Sequence, residues 1–367
     1  MKQNYNIGII GATGMVGQRF ITLLHDHPWY TIKVLAASPR SAGKTYKDAV
    51  GSKWSMKEEI PASVAGMLVM DAANDVEKIA EQVDFVFCAV DMKKDEIKAL
   101  EERYAKAECP VVSNNSAHRH TPDVPMIIPE INPQHIEIIP AQRKRLGTKR
   151  GFVAVKSNCS LQSYLPAMAV INMKYPIDHA LVTTYQAISG AGKTFETWPE
   201  MVDNLIPYIG GEEMKSEVEP NKILGRIEGG EIIPSTELSI ECQTYRVPVS
   251  DGHTAAIFFS FKDRENLPSV EEMENMWREY KGVPQELGLP HAPKQFIHVY
   301  TEAEAPDQPQ IKTARETDGG MAISCGRLRK STQYDYKMVS MSHNTLRGAA
   351  GGAVLLAELL TAKGYMD

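Results

Sequence analysis

The chain has 367 residues, of which 43% are hydrophobic and 23% charged, and its formal net charge is −6. This composition is typical of a globular protein with room for two domains, without the basic excess of a nucleic-acid-binding protein. No apolar run approaches the ~20 residues of a membrane span. The five cysteines are scattered and form no disulfide framework or CxxC metal pattern, so we expect reduced thiols, no metal site and a cytoplasmic location.

The first third of the chain alternates apolar strands with helical patterns. We predict helices at 15–24 and 95–107, and strands at 6–10, 31–37, 84–90 and 110–113. Strands separated by helices indicate βαβ units, which build a parallel sheet.

Three glycines, Gly11, Gly14 and Gly17, follow the first strand and open the first helix, with Thr13, Met15 and Val16 between them. The spacing is GxxGxxG rather than GxGxxG, but strand, glycines and helix stand in the order that a dinucleotide fingerprint needs. Such a turn lets backbone approach a pyrophosphate at the positive end of the helix. We therefore predict a Rossmann-type dinucleotide-binding domain.

The end of the second strand distinguishes between the two nicotinamide dinucleotides. An NAD-binding domain usually has an acidic residue here for the ribose hydroxyl. This chain instead has Ser38, Arg40 and Ser41, followed by Lys44. Hydroxyls and cations suit a 2′-phosphate, so NADP is favoured over NAD.

The second half has longer, alternating strands. They are predicted at 180–187, 238–249, 254–261, 296–301, 322–329 and 333–341. This pattern indicates a largely antiparallel sheet with helices on one face. A helix at 345–363, rich in Ala and Gly, could pack closely against the first domain. The fold class is α/β: a Rossmann-type domain (1–157, completed by 342–367) and an α+β catalytic and dimerisation domain (158–341).

Cys159 is the cysteine best placed for chemistry, because it lies between a strand and a helical stretch. A helix N-terminus would lower the pKa of its thiol and could hold an oxyanion. A thiolate nucleophile needs a proton partner, and His253, in a turn between two strands, is the most suggestive of the ten histidines. Arg246 lies on the first of these strands. Purely structural roles for the cysteine and histidine remain open on spacing alone.

The segment AISGAGKT (187–194) resembles a phosphate-binding loop. A P-loop enzyme would also need a helix directly after the loop and a later strand that ends in Asp. The sequence Phe195–Pro199 would break such a helix early, which disfavours an ATPase or kinase. A non-enzymatic NADP-binding regulator is another class of protein that the sequence leaves open. In such a protein, Cys159→Ala would change nothing measurable.

Eight segments in order give a more specific indication: GATGMVGQ, AASPRSAGKTY, SNNSAHR, PEIN, SNCS, QAISGAG, ECQTYRVPVSDGHT and SHNTLRGAAGGAVLLAELL. Together they resemble the aspartate-β-semialdehyde dehydrogenase family, in particular its archaeal/fungal-like branch, over essentially the whole chain. The resemblance implies NADPH-dependent reductive dephosphorylation of β-aspartyl phosphate through a Cys159 thioester, in the pathway to lysine, methionine and threonine. It also implies a homodimer or homotetramer.

The resemblance assigns roles to individual residues. Cys159 is the nucleophile, His253 the acid/base residue, and Gln186 and Asn158 hold and orient the substrate. The other implied substrate contacts are Arg246 for the α-carboxylate, Arg119 and Lys222 for the phosphate, and Glu219 for the ammonium, with Glu217 offering a competing register. The implied NADP contacts are Thr13 to Val16, Arg40, Ser41, Ser189, Gly190 and Asn344.

Related acyl reductases are the alternative within the oxidoreductases. Malonyl-CoA reductase and N-acetylglutamyl-phosphate reductase would keep the cysteine, the histidine and the NADP turn. Glu219 favours an amino-acid substrate, because malonyl-CoA has no ammonium group. At Lys193 and Thr194 the sequence departs from the branch's usual continuation, and we expect these two residues to lie on a loop surface.

Overall fold

The computed structural model describes residues 4–306 and 308–367. Its strands are β1 (Tyr5–Ile10), β2 (Tyr30–Ala37), β3 (Val69–Asp71), β4 (Phe85–Cys88), β5 (Val111–Ser113), β6 (Met126–Ile127), β7 (Val153–Lys156), β8 (Ile177–Gln186), β9 (Arg226–Glu228), β10 (Glu231–Ile233), β11 (Ser239–Arg246), β12 (His253–Phe261), β13 (Ile297–Val299), β14 (Ile323–Lys330) and β15 (Tyr336–Ser342).

The helices are α1 (Met15–Leu24), α2 (Tyr46–Val50), α3 (Ala62–Ala65), α4 (Val76–Ala80), α5 (Lys94–Lys106), α6 (Ile139–Leu146), α7 (Leu165–Asn172), α8 (Glu212–Ile223), α9 (Val270–Glu279), α10 (Val283–Glu286), α11 (Ile311–Ala314) and α12 (Ala350–Ala362). Short 3₁₀ turns include Leu161–Ser163 and Ile188–Ala191. Within the described ranges, none of the helices has the length and apolar character needed to cross a bilayer.

The first sheet has seven strands in the order β3-β2-β1-β4-β5-β7-β6, and every neighbouring pair is parallel. Its strands are buried on both faces, as the continuous apolar runs β1 and β4 require. Because the strands are parallel, their carboxyl ends share one edge of the sheet. The glycine turn after β1 and the Cys159 turn after β7 both lie at that edge.

The second sheet has six strands in the order β11-β8-β12-β15-β14-β13. The three central pairings are antiparallel, whereas β11 with β8 and β13 with β14 are parallel. The sheet is therefore mixed, with parallel pairs only at its two edges. Alternation along each strand predicts one buried face equally well for either direction of pairing, so sequence could not distinguish them.

The last helix, α12, is buried along nearly its whole length. It contacts α1, β5 and β7 of the first sheet. The helix begins with small residues, and a side chain at Gly352 would put its Cβ 2.4 Å from the carbonyl oxygen of Arg347 in the turn just before the helix. The packing is the one expected from the Ala- and Gly-rich sequence, while the domain boundary at 157/158 stays a prediction.

Candidate active site

Three predicted site residues lie side by side across three neighbouring strands. In the sheet register, Gln186 at the end of β8 is opposite Arg246 on β11 and His253 on β12. All three side chains are buried. The turn after β7 brings Cys159 to this row, with its Sγ 3.5 Å from Nε2 of His253. Residues far apart in sequence thus meet where the two sheets adjoin.

The thiol of Cys159 is not the low-pKa group that its position before a helix suggests. Burial and the Glu212 carboxylate raise the pKa of the Cys159 thiol, against the opposing effect of Lys156, Arg119 and Arg246. Only a 3₁₀ turn and a short helix, α7, follow the cysteine. Their dipole is small compared with the loss of water, which accounts for the difference from the sequence expectation.

The imidazole of His253 is held in one orientation. Its Nδ1 accepts a hydrogen bond from the backbone N–H of Ala187, at 3.1 Å. In the neutral ring the proton therefore resides on Nε2, which faces the sulfur. Burial and the neighbouring Arg246 lower the pKa of His253 to about 3. The ring is accordingly a neutral donor at physiological pH.

A cavity of about 480 Å³ joins the nucleophile to the glycine turn. Predicted site residues in its wall are Met15, Val16, Arg119, Asn158, Cys159, Ser189, Gly190 and Asn344. One continuous cavity thus extends from the N-terminus of α1 to Cys159, as a dinucleotide and a second substrate require, while His253, Gln186 and Arg246 are not in its wall.

The turn after β1 has a backbone conformation that depends on glycine. Gly11 has a φ of +91°, and a Cβ there would lie 2.2 Å from the carbonyl oxygen of Ala89, so no other residue fits. The N–H groups of Gly11 and Ala12 both donate to the carbonyl of Ala36 at the end of β2. Gly14 is the N-cap of α1; its own N–H donates to the Gly11 carbonyl, and the N–H groups of the first helical turn follow it.

The other predicted residues of the NADP turn lie beside this site. Thr13 is in the same turn and its carbonyl accepts from Nε2 of Gln18, whereas Gly17 is in the first turn of α1. Ser38, Arg40 and Ser41 form a turn directly after β2, closed by a hydrogen bond from the Ser41 N–H to the Ser38 carbonyl. Ser38 and Arg40 are exposed, and none of the three residues is in the cavity wall, so their contact with a 2′-phosphate stays a prediction.

At Gly190 the backbone lies directly against two of the predicted site residues. A Cβ on it would lie 2.8 Å from Nη1 of Arg246 and 3.1 Å from Cε1 of His253. Beside it, Nδ2 of Asn344 donates to Oγ of Ser189, while Oδ1 of Asn344 accepts from the N–H of Gly252. The missing side chain leaves space beside Arg246 and His253.

The predicted Glu219 and Lys222 pair lies behind the cavity wall. Lys222 donates to three backbone carbonyls, those of Arg119, Thr121 and Val124, at 2.7–2.9 Å. Glu219 accepts from Nη1 of Arg119 and from the N–H of Asn158. Neither residue is in the cavity wall. Their hydrogen-bonding groups hold the site together from outside.

Glu212 and Lys215, which sequence reasoning missed, lie in the cavity wall instead. They have the same i, i+3 spacing on α8, seven residues earlier, and their side chains pair at 2.6 Å. Glu212 also accepts from Nδ2 of Asn158. Burial raises the pKa of Glu212, but Lys215 and Asn158 outweigh it, so the net pKa is lowered and the group is a carboxylate.

Arg119 also lines the cavity, although its guanidinium is buried. One nitrogen is paired with Glu219, but the Nε–H is buried without a hydrogen-bond partner among the described residues. An orphan buried donor is costly, and an anionic ligand would satisfy it. The prediction that Arg119 binds a phosphoryl group is consistent with this position.

The AISGAGKT segment is not a phosphate-binding loop in three dimensions. Residues 188–191 form a 3₁₀ turn, residues 194–197 form a further turn, and the next α-helix begins only at Glu212. Without a helix N-terminus after Lys193, the segment lacks the anion cradle of a P-loop. Lys193 is exposed, and both Lys193 and Thr194 lie in the cavity wall, which the expectation of a loop surface did not include.

Family models for semialdehyde dehydrogenases match two long segments of the chain. The family model for the semialdehyde dehydrogenase NAD binding domain matches residues 6–139, and that for the dimerisation domain matches residues 168–347. The second match indicates an oligomer, as predicted, without giving its size.

Curated relatives are similar over nearly their full length. Aspartate-semialdehyde dehydrogenases from Candida albicans, Saccharomyces cerevisiae and Methanothermobacter thermautotrophicus are 42%, 42% and 40% identical, each covering 97% of this chain. The chain covers 97–98% of each relative.

A crystal structure of the Candida albicans enzyme with NADP superposes with a TM-score of 0.88, at 39% identity and 99% coverage of both chains. The Vibrio cholerae enzyme II, at 24% identity and a TM-score of 0.72, shares the fold. The predicted fold class and resemblance are confirmed: the chain belongs to the aspartate-semialdehyde dehydrogenase family.

Proposed function

We propose that the chain reduces β-aspartyl phosphate to aspartate β-semialdehyde with NADPH, through an acyl-thioester on Cys159. The observation that carries this proposal is the Cys159–His253 pair, 3.5 Å apart, with Cys159 in one cavity with Met15 and Val16 at the start of α1. A nucleophile next to a proton donor, within reach of a dinucleotide site, is suited to acyl transfer followed by reduction. The family membership supports the same reaction.

The cofactor of the proposal is NADP, which is also named for the 39%-identical structure from Candida albicans. Gly11 to Gly17 would hold its pyrophosphate, and Ser38, Arg40 and Ser41 its 2′-phosphate. Ser189, Gly190 and Asn344 would border its nicotinamide, where Gly190 leaves space beside His253. When bound, the reduced cofactor supplies the hydride that reduces the thioester carbon.

In the first chemical step, the Cys159 thiolate attacks the carbonyl carbon of the acyl phosphate. The carbon–sulfur bond forms, the bond between the acyl carbon and the bridging oxygen of the phosphate breaks, and phosphate leaves with the electron pair. Lys156, Arg119 and Arg246 favour the thiolate, although burial disfavours it. The anionic substrate also excludes water from the thiol when it binds.

His253 acts from the neutral form with its proton on Nε2. The thiol proton of Cys159 passes to solvent before the attack, because His253 already carries its proton on Nε2. This N–H can donate a hydrogen bond first to the thiolate and then to the alkoxide oxygen of the reduced thiohemiacetal. Collapse of that group breaks the carbon–sulfur bond and releases the semialdehyde. Because the N–H of Ala187 occupies Nδ1, rotation of the ring away from the sulfur would break a hydrogen bond.

Charge complementarity assigns the rest of the substrate. Arg246 would bind the α-carboxylate beside Gln186, since only one of its guanidinium nitrogens donates to a described acceptor, the Ala187 carbonyl. Glu212, rather than Glu219, would take the ammonium, because it lines the cavity. Arg119 and Lys215 would take the phosphate.

Exposed apolar side chains support assembly as a homodimer or homotetramer. Large hydrophobic residues that are at least 36% exposed occur together at Tyr185, Val202, Leu205, Tyr208, Met214 and Val218. They lie on β8, on α8 and between them, near the edge strand β11. Such a surface is unusual on a monomer and would be covered by a second copy in the cytoplasmic enzyme.

A substrate panel tests the proposed reaction against the related acyl reductases. NADPH absorbance would be followed with aspartate semialdehyde plus phosphate, with malonyl-CoA, and with N-acetylglutamate semialdehyde plus phosphate. We expect strict dependence on phosphate with the first substrate and little activity with the others. Robust reduction of malonyl-CoA would overturn the proposal.

A further inference from the structure

Lys156 is a buried lysine in the cavity wall to which the predicted roles assign nothing. It is the last residue of β7, three positions before Cys159, and only 3% of its surface is exposed. It lies at the carboxyl edge of the parallel sheet, where ligands bind in folds of this type.

The hydrogen bonds of Lys156 leave donors unused. Its Nζ donates to the carbonyl of Ser157, and within residues 4–306 and 308–367 no other acceptor and no carboxylate ion pair is found for it. The two other lysines nearby differ. Lys222 has three carbonyl acceptors, and Lys215 is paired with Glu212. A buried ammonium group without a carboxylate is destabilising unless a ligand supplies the counter-charge.

The charges around Lys156 come from three elements. Arg119, in the loop after β5, repels it, while Cys159 and the α8 residues Glu219 and Glu212 attract it. Both carboxylates already have other partners. Glu219 accepts from Arg119 and Asn158. Glu212 accepts from Asn158 and is paired with Lys215. Burial and Arg119 together lower the pKa of Lys156 to about 7.

We propose that Lys156 is a substrate-binding residue that holds phosphoryl oxygens of the acyl phosphate, or of inorganic phosphate in the reverse reaction, together with Arg119. This inference rests on the proposed function. Arg119 offers an unpartnered buried Nε–H in the same cavity. One dianion between the two cations would satisfy that donor, use the free donors of Lys156 and remove their mutual repulsion.

Proton uptake should accompany phosphate binding at neutral pH. Without phosphate, Lys156 is partly deprotonated near pH 7; a bound anion stabilises the ammonium form and raises its pKa. The contribution of Lys156 to phosphate affinity is therefore complete below pH 7 and declines as the pH rises above it. A neutral side chain at position 156 has no such dependence.

The test uses inorganic phosphate and the reactivity of Cys159, and needs no turnover. Of the five cysteines, the other four are buried, so iodoacetamide should label Cys159. The phosphate concentration that halves the labelling rate would be measured for the wild type, Lys156→Met and Lys156→Gln. The control is Lys174→Met, which removes the same charge from an exposed site.

We expect the half-protecting concentration to rise about 10- to 100-fold in both Lys156 variants and to stay within about twofold in the control. The ratio of the half-protecting phosphate concentrations of Lys156→Met and the wild type should become smaller from pH 6.5 to pH 9. The KM for phosphate should rise, while the Kd of NADP and the KM of semialdehyde stay nearly constant. Equal protection in all four proteins would overturn the inference. The proposed function would fail separately, if the wild type showed no phosphate-dependent turnover.

Discussion

At the scale of single residues, the sequence of α8 contains two Glu/Lys pairs, two helical turns apart, either of which could face the substrate. Glu212 with Lys215 and Glu219 with Lys222 have the same i, i+3 spacing, and the two pairs are seven residues apart, so they share one face of the helix. Sequence therefore cannot tell which pair faces the substrate. The structure places the first pair in the cavity wall and the second behind it.

Replacing each glutamate by glutamine separates the two roles. Glu212→Gln should raise the KM for aspartate semialdehyde by about tenfold or more, because an ammonium ligand loses its charge partner. Glu219→Gln should instead lower the free energy of unfolding by about 3–5 kcal/mol, since Arg119 loses its buried counter-ion. Steady-state kinetics and urea unfolding measure both. If Glu219→Gln raised the KM and Glu212→Gln lowered the free energy of unfolding instead, Glu219 would be the ammonium ligand, as predicted from the sequence.

Lys156 shows a second limit of sequence reasoning. In the sequence it is a polar residue at the end of an apolar strand, which usually means an exposed strand end. In the structure it is buried, and the α8 residues Glu212 and Glu219 are among the charged groups around it. Its burial therefore depends on elements that follow it by more than fifty residues.

At the scale of elements, a buried ion pair holds the nucleophile turn against the C-terminal segment. Arg347, just before α12, forms two hydrogen bonds to Glu130, which follows β6. Its Nε donates to Gln162, whose own amide donates to Ser157, two residues before Cys159. These contacts join the segment just before α12 to the turn that contains Cys159.

Removing the charge of Glu130 should destabilise the fold strongly. Glu130→Gln leaves the buried guanidinium of Arg347 without a counter-ion, which costs about 3–5 kcal/mol. The matched control is Glu77→Gln, at an exposed ion pair with Arg103, where little change is expected. Urea unfolding of the two variants gives the comparison. If both changes were equally small, the ion pair would have no structural role.

A second connection joins α12 to the rest of the molecule. Glu358 lies between His27 and His291, with Oε1 2.8 and 2.6 Å from their ring nitrogens. The three side chains could hold a metal ion by distance alone. However, Nδ1 of His27 accepts from the N–H of Trp29, so the proton of the neutral ring lies on Nε2 and points at Glu358. The group is better described as a hydrogen-bonded cluster.

At the scale of the whole molecule, acid should destabilise the protein before its carboxylates titrate. The fold lowers the pKa of His253 to about 3 and that of His343 to about 4, chiefly by burial. The unfolded chain therefore binds more protons than the folded one below pH 6.5, and stability is lost as the pH falls. We expect a loss of about 2 kcal/mol or more between pH 7.5 and 5 in urea unfolding. A flat or rising profile would show that these histidines are accessible in the fold.

Much of the fold could be predicted from the sequence, because strands and helices have strong local periodicity. Helix α1 has the predicted ends, and β2 begins one residue earlier than predicted. Pairing direction at the sheet edges depends on distant contacts and was not predicted. Helix α8 was missed, because it is highly charged and has Pro220 inside it. The resemblance supplied the Cys159–His253 pairing, which spacing alone left open.

The central claim, that turnover passes through an acyl-thioester on Cys159, is tested most directly by a single-turnover measurement. Enzyme, NADP and aspartate semialdehyde would be mixed rapidly without phosphate, and NADPH absorbance followed for the wild type and Cys159→Ala. We predict a burst of about one NADPH per chain in the wild type, continued turnover only after phosphate is added, and no burst in the variant although it still binds NADP. A burst in the variant, or phosphate-independent turnover by the wild type, would contradict the account.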